Sequence, residues 1–77
     1  MSNEVTDCIR RTLNRYFRDL DGEVPTGIYD MVLKNVERSM LEVVMHHADG
    51  NQTVAAEMLG INRNTLRRKL TEYELLS

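Results

Sequence analysis

Between Val5 and Leu20 the apolar side chains fall at Val5, Cys8, Ile9, Leu13, Tyr16, Phe17 and Leu20. Steps of three and four residues put them on one stripe of a helix, with Arg10, Arg11, Asn14, Arg15 and Arg18 opposite. Asp21-Gly22 ends that helix, and Gly22 suits the left-handed position just past a C-terminus. Glu23 to Gly27 holds the only proline and reads as a short ordered loop. The next periodic segment runs from Ile28 to about His47, with Ile28, Met31, Val32, Val36, Met40, Leu41, Val43, Val44 and Met45 apolar. A helix of that length spans about 30 Å, the width of a small domain. From Met40 to Met45 only Glu42 interrupts the apolar surface, so this helix needs cover on more than one face. The rest of the chain is too short to wrap both sides, which points to a second copy.

Two shorter helices follow. In the turn Asp49-Gly50-Asn51, Asn51 caps a helix from Gln52 to Leu59; in Gly60-Ile61-Asn62, Asn62 caps one from Arg63 to about Tyr73. Nothing alternates with period two over a strand's length. The predicted class is all-α: four helices in one domain, residues 1–77, two long and then two short.

At 77 residues the chain is near the size below which, at roughly 70–80 residues, a single core rarely supplies much net stability. Cys8 is the only cysteine, so no internal disulfide forms; on the apolar stripe it reads as a packed thiol. His46 and His47 are adjacent, point about 100° apart and lack a third ligand, so no metal is expected; an exposed pair favourable to the helix dipole is the reading instead. The carboxylates are scattered, no catalytic residue or cofactor is implied, and an enzyme is not expected. Met31, Met40, Met45 and Met58 read as filler in an aliphatic core. Oligomerisation is the remaining staple. No secretory leader is visible and no run approaches the ~20 apolar residues of a membrane span, so a soluble cytoplasmic protein is expected.

The net charge of −2 is unevenly placed. Residues 1–61 carry six basic side chains against ten acids, whereas residues 62–77 carry four (Arg63, Arg67, Arg68, Lys69) against two. An acidic body with a basic end suggests a phosphate-binding terminus. Arg10, Arg11, Arg15 and Arg18 sit near Asp7, Asp19 and Asp21 and read as a solvated face.

Two short helices joined by a three-residue turn containing glycine form a helix-turn-helix, here spanning Gln52 to Leu70. Ala56 lies where the helices cross, Gly60 supplies a positive φ, and Leu59, Ile61, Leu66 and Leu70 close a small core. The second helix then offers a face for double-stranded DNA. Asn62, Arg63 and Asn64 stand at its N-terminus, where base edges are read; Arg63 suits guanine and Asn64 adenine. Thr65, Arg67, Arg68 and Lys69 flank them, several placed for phosphates, and Gln52 and Thr53 open the preceding helix, whose free N–H groups suit another.

Gly50-Asn51-Gln52-Thr53, Gly60-Ile61-Asn62-Arg63, Thr65-Leu66-Arg67 and Lys69-Leu70 closely resemble the C-terminal part of the Fis family, small bacterial nucleoid-associated proteins. The likeness continues upstream through Tyr16-Phe17, Leu20-Asp21-Gly22, Tyr29, Val32-Leu33, Val36-Glu37 and Val44-Met45, covering about residues 7 to 73. The resemblance implies a homodimer with intertwined long helices (5–47) and a helix-turn-helix unit (51–73). Its paired recognition helices stand closer than one DNA turn, so DNA must bend, at a cost of order 1–6 kcal/mol that depends on sequence. By position, Asn62, Arg63, Thr65 and Arg68 match base-edge and near-base contacts; Asn51, Gln52, Thr53, Arg67 and Lys69 match backbone contacts or their neighbours. A transcriptional regulator of the nucleoid is implied, with RNA polymerase a candidate partner through the turn holding Gly50 and Gln52. Three departures modify this. Asp49 and the pair Thr71 and Glu72 stand where the best-known members carry a basic residue and a lysine-rich stretch, and the arm by which some members stimulate invertases is missing, so weaker flanking contacts and no such stimulation are expected. The alternatives are a protein-docking module and the detached DNA-binding domain of an enhancer-binding activator.

Overall fold

The computed structural model describes residues 3–76 and is all-helical: α1 (Asn3–Leu20), α2 (Ile28–His47), α3 (Gln52–Leu59) and α4 (Arg63–Glu72), with no strand among the described residues. The ends of α2 and α3 and the start of α4 fall where the turn chemistry puts them. The backbone N–H of Val54 donates to Asn51 Oδ1 at 3.1 Å and that of Asn64 to Asn62 Oδ1 at 2.7 Å, so both asparagines cap. Gly60 takes φ +75°, and the N–H groups of Gly60 and Ile61 close onto the carbonyls of Glu57 and Ala56. That pairing satisfies two helix-end acceptors and reverses the chain in three residues. At the end of α1 the left-handed position falls first on Asp21 (φ +51°), and Gly22 follows at φ +90°.

The core sits at one end of the molecule. Leu41 and Ala48 from the second half of α2, Ala55 and Ala56 from α3, and Leu66 and Leu70 from α4 are buried together. Val44, Met45, Leu59, Ile61, Tyr73, Leu75 and Leu76 pack around them. Alanines at the α3 crossing let the helices approach closely, and the leucines fill the space between.

The other half is open. No residue of α1 is buried, and its apolar stripe meets the first half of α2 only across a groove of about 620 Å³ lined by Val5, Ile9, Leu13, Tyr16, Met31 and Val32, among others. Cys8 lies on this groove but is exposed, so it is not the packed thiol its stripe suggests. Met40 and Met58 are 45% and 56% exposed, and only Met31 and Met45 are partly covered, so the methionines do not all fill a core. Val43, 57% exposed beside buried Leu41, shows that the apolar run of α2 is covered on one face and bare on another. No described helix is long and apolar enough to cross a membrane.

Candidate nucleic-acid interface

On α4, steps of about 100° per residue place Leu66, Leu70 and Tyr73 together, and these are the side chains turned into the core. Asn64, Arg67, Arg68 and Thr71 cluster on the opposite side and all are exposed. Arg63 and Asn62 are exposed at the start of the helix, and Thr65 is half-buried at its flank. Among the described residues, Arg63, Arg67 and Arg68 form no ion pair. Neither α3 nor α4 has an acid in its first turn, so nothing opposes the positive end of either helix dipole. The surface thus presents unneutralised guanidinium groups, the carboxamide of Asn64, and exposed Asn51 and Thr53 at the opening of α3. Guanidinium and carboxamide groups are planar, multi-donor groups suited to base edges and phosphates.

Two expected contacts are placed differently. Lys69 turns toward α2, where its Nζ donates to Glu37 Oε2 at 2.8 Å. The hydroxyl of Tyr73 donates to the other oxygen of the same carboxylate, Glu37 Oε1, at 2.7 Å. Arg38 adds a bond from its Nη1 to the Tyr73 carbonyl at 2.9 Å. The hydrogen bonds from Lys69 and Tyr73, in that order, hold the Glu37 carboxyl below the usual carboxylate range; the same bond to Glu37, chiefly, pushes the Tyr73 hydroxyl up to about 12. Gln52 also turns inward: its Oε1 is buried without a hydrogen-bond partner among the described residues, beside Met45, His46, Leu75 and Leu76. Its backbone N–H remains at the N-terminus of α3.

The charge of Lys69 suggests an outward side chain, whereas its position on the helix suggests an inward one. Lys69 lies about 60° from Leu66 and 40° from Tyr73 on the helix, within the arc that the apolar residues mark as inward. His46 and His47 are exposed and stack edge to face with ring centres 5.7 Å apart; no group of three or more metal-ligating side chains occurs among the described residues.

Fold and surface define a helix-turn-helix protein in which α3 and α4 are anchored on the end of a long helix, with basic and carboxamide groups on the outer face of the second. A family profile described as bacterial regulatory protein, Fis family, matches residues 32–73. A Fis-like DNA-binding protein of Ralstonia nicotianae is 57% identical over 74 residues, 96% of either chain. One from Neisseria meningitidis serogroup A is 52% identical over 95% of this chain and 92% of its own. The DNA-binding protein Fis of Glaesserella parasuis is 52% identical over 84% of this chain and 66% of its own. The chain belongs to the Fis family.

Proposed function

We propose that this chain binds and bends double-stranded DNA as a homodimer and acts as a nucleoid-associated transcriptional regulator in the bacterial cytoplasm. The observation that carries the reading is the exposed, unpaired set Arg63, Asn64, Arg67 and Arg68 on the second helix of a capped helix-turn-helix. Family relatives named for DNA binding support it. Residues 5–47 supply the dimer interface and residues 51–73 the DNA-binding unit. Asn62, Arg63, Asn64, Thr65 and Arg68 face base edges; Asn51, Thr53, Arg67 and the N–H of Gln52 face phosphates. Paired recognition helices set closer than one helical turn bring the duplex round the dimer, so sequence is selected largely through the ease of deformation. Gly50, exposed in the turn before α3, is the point offered to RNA polymerase.

A gel-shift titration with Arg63→Ala and Arg67→Ala tests the assignment. The first variant is expected to lose about 1–3 kcal/mol of discrimination between preferred and random duplexes. The second is expected to weaken binding to all sequences alike and to lower the log–log salt slope by about 2 per dimer. Binding unaltered by either change would leave a protein-docking module as the better reading.

A further inference from the structure

Burial alone does not fix the pose of α4. Leu66 and Leu70 are fully buried, but apolar contact is non-directional and leaves a helix some freedom to roll or slide. Direction comes from Glu37, one turn before Leu41 on α2. Its two oxygens accept from Lys69 on α4 and from Tyr73, the C-cap one turn further on. One carboxylate bonded at two points along a helix restrains both rotation about the helix axis and movement along it. Arg38, the next residue of α2, ties the backbone carbonyl of Tyr73, at the end where helix carbonyls lack internal partners.

We infer that Glu37 is a positioning residue for the recognition helix: by holding Lys69 and Tyr73 it withdraws Lys69 from DNA and sets the angle between α4 and α2, and with it the half-site spacing that the protein selects. This rests on the DNA-binding reading above. Lys69 carries its charge into a pair whose side chains are less than a third exposed, so it adds little to the field over the DNA-facing side. Arg63 lies six residues away, about 9 Å along the helix, so a tilt of roughly ten degrees at the clamp moves the base-reading end by over 1 Å. That is a large share of the ~3.4 Å between successive base pairs, and in a dimer it occurs at both ends.

The test uses full-length protein and a palindromic 30-base-pair duplex selected by the wild type from a random pool, with versions whose half-sites are moved one base pair closer or further apart. The wild type is expected to discriminate among these spacings by about tenfold or more. Glu37→Gln and Lys69→Met are each expected to lose most of that discrimination, with the salt slope of Lys69→Met unchanged. The exchange Glu37→Lys/Lys69→Glu rebuilds the pair with its charges reversed and is expected to restore spacing preference. Circular dichroism first establishes that each variant is helical.

A slope reduced by about 2 in Lys69→Met would put that ammonium on a phosphate and overturn the inference. So would spacing preference intact in Glu37→Gln beside a lowered unfolding temperature, or a folded exchange variant without rescue. Wild-type protein that binds no duplex would overturn the functional reading and the inference together; the other failures leave the functional reading standing.

Discussion

Each of the four helices ends beside a residue in left-handed backbone: Asp21 (φ +51°), Asp49 (+53°), Gly60 (+75°) and Glu74 (+56°). After α2, α3 and α4 the same pair of bonds accompanies it, as in Gly50 N–H to the Met45 carbonyl and Leu75 N–H to the Leu70 carbonyl. Only at Gly60 does the residue adopt this conformation without steric cost. A Cβ built there meets no atom within 4 Å, so Gly60→Ala is charged for its backbone alone. The expected loss is about 1–2 kcal/mol, read as a lowered urea midpoint with unchanged m-value. Asp49→Gly should move the midpoint the other way, by about 0.5 kcal/mol, because relief of the strained φ outweighs the greater chain entropy that glycine surrenders on folding.

The contact between α2 and α4 responds to pH at both extremes. Glu37 has a carboxyl pKa lowered in the folded protein, so its contribution is complete above the ordinary value of 4.5 and fades as the pH falls through the folded value. Tyr73 is raised from 10.0 to about 12, so the folded protein keeps the proton longer; its contribution is complete below about 10 and is lost between there and 12. The stability gap between wild type and Glu37→Gln should therefore be constant through neutral pH and narrow in acid. For Tyr73→Phe the gap should narrow in alkali, as the hydroxyl ionises, and also in acid, because the lost hydroxyl helps hold the Glu37 carboxyl down; both variants are followed by urea unfolding. The helices themselves are readable from the sequence, since Asn51, Gly60 and Asn62 announce their ends by local chemistry. So is the outward set Arg63, Asn64, Arg67 and Arg68, which lies opposite Leu66 and Leu70. The clamp is not: Glu37 and Lys69 are 32 residues apart, and no periodicity tells which charge on α2 meets which on α4. The inward turn of Gln52 is likewise set by its neighbours in space, not by its place at a helix start.

The whole chain is extended where a self-sufficient domain would be round. Its radius of gyration is 15.2 Å, with extents of 45 × 28 × 18 Å. A compact chain of this length has a radius near 11.5 Å. Its accessible surface of 6281 Å² likewise exceeds the roughly 4,800 Å² expected of a folded monomer of 8.9 kDa. Part of the exposed surface is apolar and lines the groove where α1 and the first half of α2 meet: Val5 is 65% exposed and Val36 43%. A second copy laying its own groove against this one would bury such surface from both sides at about 25 cal/mol per Å², whereas water leaves it uncompensated. Because the same groove separates α1 from α2, a dimer formed through it would couple association to the folding of α1. Two outcomes are expected: the midpoint of thermal unfolding rises with protein concentration, and sedimentation at micromolar concentration returns about twice 8.9 kDa. Val36→Asp places a charge in that groove, opposite Val5 and Ile9. It should yield a monomer with reduced helical content, because α1 then has nothing to pack against. The cluster around Leu41, Leu66 and Leu70 does not include Val36 and should persist, seen as amide protons of α3 and α4 that still exchange slowly. If those amides were lost together with those of α1, the helix-turn-helix would also depend on the dimer, and the two halves of the chain would form a single cooperative unit.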